Sequence, residues 1–444
     1  MLTLKNKNNK GFTLIEVLIA IFILSIATLT TYSLYNMSLK ILWESKAKVT
    51  ATQLANQKME MARNLSYNQV GTLGGIPAGI IPPVEIITRN GIEFSVNTFI
   101  NYIDDPFDGT INSTTTPDTL SADYKQIRVE VSWISKFGAK KLTFLSSITP
   151  KGIESETGGG TLKILVFNSA GQPVPQAQVH IINSTVTPAV DLNTQTDSAG
   201  LVFLPGAPTA IESYQISTTK NGYSVDQTYV ATADMPTTTK PPLSIYEGQV
   251  TSISFCIDET SSITNTVKDS NGIYLSSIDI NIKGEKIIGY TASSTPIYKY
   301  DQDKKTNAVG LIGLTNLEWD SYHFTLLDHE PYNISESSPI QPLNLSPNTS
   351  TTISLTLAPK ETHSVLVIIK DVDSQPVADA TVHLFNTGLG LDSIATTTDA
   401  GQAYFAPWQA ATTTLEVSKD GYNNYQDVLD ISGYYTETIT LIRP

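Results

Sequence analysis

The sequence predicts an α+β N-terminal part, made of one long helix and a small antiparallel sheet, followed by three all-β sandwich domains. Three observations predict this fold class. A long apolar run lies near the N-terminus, segments with alternating apolar residues follow it, and a pattern with a period of roughly 100 residues then occurs three times. A chain of 444 residues is long enough for several such domains.

Charge and cysteine content narrow the classes of function. The formal net charge is -14, which argues against nucleic acid as a partner, because phosphate binding needs clustered Lys and Arg. The one cysteine, Cys256, cannot form an intrachain disulfide. Its apolar surroundings in "VTSISFCI" predict a buried, inert thiol.

The N-terminus has the features of a membrane anchor. Lys5, Lys7 and Lys10 precede the apolar run, and residues 17–39 carry no charged side chain. A helix of this length can span the roughly 30 Å of bilayer hydrocarbon. The positive-inside rule keeps the basic leader in the cytoplasm and exports the rest of the chain. The alternative is a secretory signal peptide, whose apolar region is shorter and ends at a small-residue cleavage site.

Glu16 is the one charged residue at the start of this apolar run. A carboxylate in hydrocarbon costs about 2.5 kcal/mol or more, so we expect Glu16 to have a charged partner.

The stretch "KGFTLIEVLIA" (10–20) resembles the N-terminal signature of type IV prepilins and type II secretion pseudopilins. The resemblance implies that residues 1–11 are a leader and that a prepilin peptidase cuts after Gly11. It also implies that Phe12 becomes the N-methylated mature N-terminus. Glu16 would then pair with the amino terminus of a neighbouring subunit, since opposite charges in an apolar setting attract strongly.

The helix is predicted to run from Phe12 to about Leu65, because no proline and no glycine interrupt residues 12–70. Its second half carries apolar residues at helical spacing, with Lys58 interrupting them: Ala47, Ala51, Leu54, Met61 and Leu65. This face is expected to pack against the small sheet. The pilin-like part as a whole is predicted to cover residues 12–153.

Three strands are predicted for that sheet, at 91–102, 124–134 and 140–148, because apolar residues alternate there. The last two resemble strands in the heads of minor pilins. The loop between the first two strands contains Asp104, Asp105 and Asp108, which are weak candidates for Ca²⁺ ligands. A solvated loop without metal is favoured, because their spacing matches no EF-hand-like pattern.

A Gly-rich linker at 154–160 precedes three repeats, predicted at 161–258, 259–358 and 361–444. Each begins with an apolar strand and a turn, and then carries the segment "TDSAGLVFL", "TNAVGLIGL" or "TDAGQAYF". Gly200, Gly310 and Gly401 in these segments are expected to adopt positive φ. The pattern resembles carboxypeptidase regulatory-like domains, which implies a transthyretin-like sandwich. The second repeat matches less well, because Ile273-Tyr274 replace Pro-Val and an extra segment follows.

Catalytic chemistry is not indicated, and neither an enzyme activity nor a cofactor is predicted. The five histidines show no metal-ligand spacing, and no nucleophile elbow or phosphate-binding loop is present. His180 and His383 are expected on a sheet surface. Trp319 and Trp408 are interpreted as packing residues, with stacking on a sugar as the alternative.

Together these patterns predict a minor pilin or pseudopilin subunit. It would be anchored in the inner membrane, assembled with other pilin subunits through its N-terminal helix, and would display the repeats extracellularly for adhesion to a glycan or protein. The alternative is a membrane-anchored adhesin or glycan-binding protein that never enters a filament.

Overall fold

The computed structural model describes residues 14–104, 123–135, 138–150 and 159–444. It divides into two compact units. The N-terminal unit comprises Met1–Gly159 with the short segments Thr187–Leu192 and Leu204–Pro208, and the C-terminal unit comprises the remainder. Gly11, Phe12, Asp105 and Asp108 lie outside the described residues.

Helix α1 (Leu14–Arg63) has two halves with opposite surroundings. Every residue from 14 to 43 is exposed, whereas the second half buries one face against the sheet of the N-terminal unit. The buried positions are Ala47, Thr50, Ala51, Leu54, Ala55, Met59 and Ala62.

The predicted packing face was wrong at one position. Met61 is 36% exposed, and Met59 lies in the core instead. Met61 was assigned to the buried face because it is apolar. The 3.6-residue period of the helix instead continues from Ala55 through Met59 to Ala62. Lys58, which interrupts the pattern, lies at the edge of this face and forms an ion pair with Glu85.

The sheet of the N-terminal unit is an antiparallel meander of four strands. The strands are β1 (Val84–Arg89), β2 (Ile92–Ile103), β3 (Tyr124–Ser135) and β4 (Gly138–Ile148), preceded by a 3₁₀ turn at Tyr67–Gln69. Strands β2 to β4 are the three that the alternation predicts. Strand β1 was missed, because it is an edge strand with little burial.

The core of this unit lies between the helix and the sheet. Alternate residues of β2 and β3, including Phe94, Val96, Val129 and Val131, are fully buried against the second half of α1. The period-two burial of these strands is the pattern that the sequence shows. The meander therefore holds the helix by the half that follows residue 46.

The three repeats are built from β-strands, and in the first repeat the segments Thr187–Leu192 and Leu204–Pro208 belong to the N-terminal unit. Those of the first repeat are β5 (Gly160–Phe167), β6 (Gln178–Asn183), β7 (Val190–Gln195), β8 (Leu201–Ala207), β9 (Ala210–Thr219), β10 (Asp226–Gln227), β11 (Thr237–Thr238), β12 (Leu243–Ile245) and β13 (Val250–Cys256). Those of the second are β14 (Ser261–Asp269), β15 (Asp279–Lys283), β16 (Ile287–Tyr290), β17 (Pro296–Tyr298), β18 (Asp301–Lys305), β19 (Leu311–Leu317), β20 (Asp320–Leu326), β21 (Tyr332–Ser338), β22 (Leu343–Leu345) and β23 (Ser350–Pro359). Those of the third are β24 (Ser364–Asp371), β25 (Thr381–Asn386), β26 (Leu391–Thr396), β27 (Gln402–Phe405), β28 (Ala411–Ser418), β29 (Tyr425–Ile431) and β30 (Tyr434–Leu441).

One pairing recurs in all three repeats. The first strand pairs in parallel with the last, as β5 with β13, β14 with β23, and β24 with β30. A second, antiparallel group contains β6 with β9, β15 with β20, and β25 with β28. Separate clusters of buried apolar residues form the cores of the second and third repeats. The division into three domains stays a prediction.

The glycines of the "T-D-x-x-G" turns adopt the expected conformation. Gly200, Gly310 and Gly401 have φ of 72°, 71° and 67°. A Cβ atom at Gly200 would lie 2.4 Å from the Val166 carbonyl oxygen, so close approach of the backbone also requires glycine there.

The extra segment of the second repeat has a structural partner. Strands β16 and β17 form a small sheet with β11, which precedes the end of the first repeat. The Thr239 hydroxyl also donates to the Ile288 carbonyl at 3.1 Å. Within the C-terminal unit, this insertion therefore connects the first and second repeats.

Candidate functional site

The exposed half of α1 is the most unusual surface of the N-terminal unit. Large apolar side chains such as Leu14, Phe22 and Leu29 are exposed by 66–82%. One helix in the described part of the chain is long and apolar enough to cross a membrane, and it is this one. At 1.5 Å per residue, residues 14–43 extend for about 45 Å.

Several polar side chains in this half form hydrogen bonds with the main chain of the helix itself. Hydroxyl and amide groups donate to the carbonyl four residues earlier, at 2.7–3.1 Å: Ser25, Thr28, Thr30, Thr31, Asn36 and Ser38. Such bonds satisfy the donors without water. The helix is therefore suited to an apolar environment in spite of its polar side chains.

Glu16 lies in the first turn of this helix, where the helix dipole favours a negative charge. No other charged side chain occurs between it and Lys40. Because Gly11 and Phe12 lie outside the described residues, processing and the pairing of Glu16 remain predictions.

A cleft of about 590 Å³ lies where the exposed half of α1 meets the sheet. The Trp43 and Ala47 side chains line one wall, and the hairpin at Asn90 and Gly91 lines another, together with Ile134. Ile134 is 84% exposed. The apolar surface of the helix thus continues onto the adjacent part of the head.

The structure describes only part of the loop that carries the weak calcium-ligand candidates. Asp104 directly follows β2 and Asp123 directly precedes β3, with the Asp123 amide donating to the Ile103 carbonyl at 3.1 Å. Asp105 and Asp108 lie outside the described residues. The expectation of a solvated loop without metal therefore stays a prediction.

A lysine in the head was missed by the sequence analysis. Lys125 is 1% exposed, and its ammonium donates to the carbonyl oxygens of Tyr67 and Val70 at 2.7 and 2.6 Å. It also lies 4.5 Å from the centre of the Tyr67 ring. Burial lowers the pKa of Lys125 to about 8. The only sign of it in the sequence is a lysine at a position where strand alternation demands an inward side chain.

The histidines and tryptophans of the repeats contact protein groups. His383 lies on the outer face of β25, with Nε2 2.7 Å from Asp392 and its ring stacked on Phe385 at 4.4 Å. Trp408 is buried in the core of the third repeat, and its Nε1 donates to the Thr413 hydroxyl. Trp319 is half-buried, and the Lys286 ammonium lies 3.2 Å from the centre of the Trp319 ring.

A cationic cluster lies at the connection between the first two repeats. The two carboxylate oxygens of Glu318 contact Lys286 at 2.8 Å and Lys299 at 2.5 Å. Lys299 also donates to the Val225 carbonyl of the first repeat. Cys256 is the last residue of β13, at the end of the first repeat. Its side chain is half-buried, and burial raises the pKa of the thiol.

Comparison with solved structures gives neighbours of low similarity. The Bacillus anthracis TIE protein is 14% identical, covering 81% of this chain and 75% of its own, with a TM-score of 0.18. A streptococcal ancillary pilin is 11% identical, covering 64% and 99%, with a TM-score of 0.18. BcpA, the major pilin subunit of Bacillus cereus, is 10% identical, covering 64% and 100%, with a TM-score of 0.17.

Comparison with family models gives a match at the N-terminus. No curated protein sequence matches the chain. The family model of the prokaryotic N-terminal methylation motif matches residues 6–32, which include Gly11, Phe12 and Glu16. The chain therefore carries the prepilin-type N-terminal motif of pilin-type subunits.

Proposed function

We propose that this chain is a minor pilin or pseudopilin subunit of a type IV pilus-like or secretion filament. A prepilin peptidase would cut it after Gly11, Phe12 would be methylated, and the mature N-terminal helix would assemble with other pilin subunits. The observation that carries the proposal is a methylation motif placed directly on a helix whose residues 14–43 are all exposed.

Exposure of this helix to water would be unfavourable. Burying one large apolar side chain contributes about 1.5–3 kcal/mol, and the exposed half of α1 carries a long series of them. The membrane would cover these side chains before assembly, with the N-terminus cytoplasmic and the other domains exported. Helices of neighbouring subunits would cover them in the filament.

Glu16 would act in the transfer between these two environments. Cleavage creates a cationic amine at Phe12, and the carboxylate of a neighbouring subunit can neutralise it in the apolar filament core. Either charge alone would be penalised there, while the pair is tolerated, so this contact favours correct axial placement of the subunit.

A minor position in the filament follows from size. The C-terminal unit contains most of residues 160–444, and is therefore larger than the helix and its meander. Such bulk on every subunit would crowd a tightly packed filament. We therefore place the chain at the tip or at sparse positions, with its repeats available to bind a surface glycan or protein.

The test is the mass of the mature N-terminal peptide from native membranes, measured beside Gly11→Ala. A peptide that begins at methylated Phe12, and that is lost in the variant, supports the prepilin pathway. An intact leader in the native protein would overturn the proposal and favour a membrane-anchored adhesin that is not assembled. Co-sedimentation with sheared filaments then distinguishes a processed but unassembled anchor from a filament subunit.

A further inference from the structure

Three side chains with metal-binding groups converge on the second repeat. Asp279 is the first residue of β15, and His329 and Glu330 lie in the turn after β20. The His329 Nε2 atom lies 3.0 Å from Asp279 Oδ2 and 3.5 Å from Glu330 Oε1. One ligand atom from each of the three lies within 4.8 Å of the others.

Main-chain hydrogen bonds hold these residues in place. The Leu327 amide donates to the Asp279 carbonyl at 3.2 Å, and the Glu330 amide donates to the Leu327 carbonyl at 3.0 Å. The Asp279 amide donates to the Glu330 carboxylate at 2.7 Å. The side chains of Glu330 and Asp279 are 6% and 20% exposed, while His329 is 64% exposed. Two fixed carboxylates therefore face one accessible imidazole.

The other repeats carry different chemistry at the corresponding positions. Gln178 faces Thr219 in the first repeat and Thr381 faces Ser418 in the third, as Asp279 faces Leu327 in the second. The turns that follow read Lys-Asn-Gly (220–222) and Lys-Asp-Gly (419–421), against Asp-His-Glu (328–330).

The first and third repeats have the same strand pairing as the second repeat without the Asp, His and Glu side chains. The turn of the first and third repeats ends in a glycine with φ near 80°, at Gly222 and Gly421. The sandwich pairing thus forms without any of the three ligand side chains. The pairing of the strands therefore does not by itself require these three side chains.

Charge at the cluster also favours a cation. Asp279 and Glu330 bring two negative charges, and the neighbouring cation is Lys305, whose ammonium lies 3.0 Å from Asp279 Oδ2. The Lys305 side chain is 57% exposed, so it can turn into solvent at little cost. A divalent ion in its place would neutralise both carboxylates.

We propose that Asp279, His329 and Glu330 bind a first-row divalent cation, with Zn²⁺ as its representative. One imidazole nitrogen and two carboxylate oxygens suit Zn²⁺, whose bonds to such ligands are about 2.0–2.2 Å. In a tetrahedron of that size the ligand atoms are separated by about 3.3 Å. The observed separations of 3.0 and 3.5 Å from His329 Nε2 are close to this value. The fourth position is left for water or a partner group.

The test is calorimetric titration of the full-length protein in detergent with ZnCl₂ alone, after removal of metal by a chelator. The expected result is one Zn²⁺ per chain. His329→Ala should weaken binding by roughly tenfold or more, because it removes a direct ligand. Lys305→Met should strengthen it severalfold, because the competing ammonium is lost. Misfolding cannot explain this gain in affinity.

His323→Ala is the matched control. His323 is also an exposed histidine of the second repeat, with Nε2 3.0 Å from Glu285, and it should leave affinity and stoichiometry unchanged. Absence of binding, equal affinity in His329→Ala, or loss of binding in His323→Ala would each overturn the proposal. None of these outcomes bears on processing or filament assembly, which are tested separately.

Discussion

The burial of Lys125 should make the stability of the N-terminal unit depend on pH. The pKa of Lys125 is about 8 in the folded protein against an ordinary value of 10.5, because burial disfavours the charged ammonium. Below about pH 8 the ammonium is charged in both states, so folding buries a charge. Between the two pKa values the unfolded chain holds a proton that the folded protein has released, and stability therefore rises with pH.

The expected gain follows from the two pKa values. From about pH 7 to about pH 9.5 the folded state should gain about 2 kcal/mol, since each unit of pKa difference corresponds to about 1.4 kcal/mol and the transition is incomplete at pH 9.5. Lys125→Met removes the titrating group and should abolish this gain. The exposed Lys140, on the neighbouring strand, provides the matched control, and Lys140→Met should retain the gain.

Urea unfolding in detergent provides the assay, with Trp133 as the fluorescent probe. Trp133 packs in the core of this unit, and replacing Trp43, Trp319 and Trp408 by Phe isolates its signal. A wild-type protein no more stable at the higher pH would refute the reasoning. An equal gain in Lys125→Met would show that another group titrates.

Three further predictions test the assembly helix, the turns and the connection between repeats. Glu16→Gln should leave cleavage at Gly11 intact and lower the amount of protein in sheared filaments by about tenfold or more, measured by immunoblot; equal incorporation would contradict the charge pairing. Gly401→Ala should destabilise the third repeat by about 2 kcal/mol or more, because φ is 67° and the new Cβ would lie 2.5 Å from the Ile369 carbonyl. Gly421→Ala, with φ of 82° and open space, should cost only about 1 kcal/mol when urea unfolding of the third repeat is followed through Trp408 in its core, and equal costs would exclude the close contact as the cause. Glu318→Gln should destabilise the connection by about 2 kcal/mol, because two ammonium groups lose their carboxylate; Glu285→Gln, with a 54% exposed side chain, is the control, and equal rates of limited proteolysis in both would refute it.

Elements with a strong local pattern were predictable from the sequence. The apolar helix begins and ends close to the expected residues, and strands β2 to β4 follow the alternation. Strand β1 and the burial of Met59 in place of Met61 were not predictable, because the neighbouring sheet determines burial at these positions. Local apolar character alone does not contain that information.

The charged clusters were also missed, for a different reason. Glu318 pairs with Lys286 and Lys299, and the first of these pairs joins residues 32 positions apart in the sequence. Asp279 and His329 are 50 residues apart in the sequence, so no short motif joins them. The spacing of ligands along the chain identifies metal sites within one helix or loop. It does not identify metal sites whose ligands lie on strands far apart in the sequence.

The second repeat shows which part of the repeat pattern determines the turn. Tyr274-Leu275, and not Ile273-Tyr274 as predicted from the sequence, replace Pro-Val in this copy, because Ile273 takes the place of Gln172 in the turn. The hydrogen bonds are nevertheless the same. The Asp269 amide donates to the Ile273 carbonyl at 2.9 Å, as the Asn168 amide does to Gln172 at 2.8 Å.

The next bond of the turn is also shared. The Leu275 amide donates to the Val267 carbonyl at 2.9 Å, and the Val377 amide donates to the Ile369 carbonyl at the same distance in the third repeat. Proline only presets a backbone conformation that other residues can adopt at a small entropic cost. The features kept in every copy are a side-chain acceptor at the start of the turn and the positive-φ glycine beneath it, at Gly310 in this copy. These groups, and not the proline, therefore specify the turn. A pattern built on them would identify the second copy as readily as the other two.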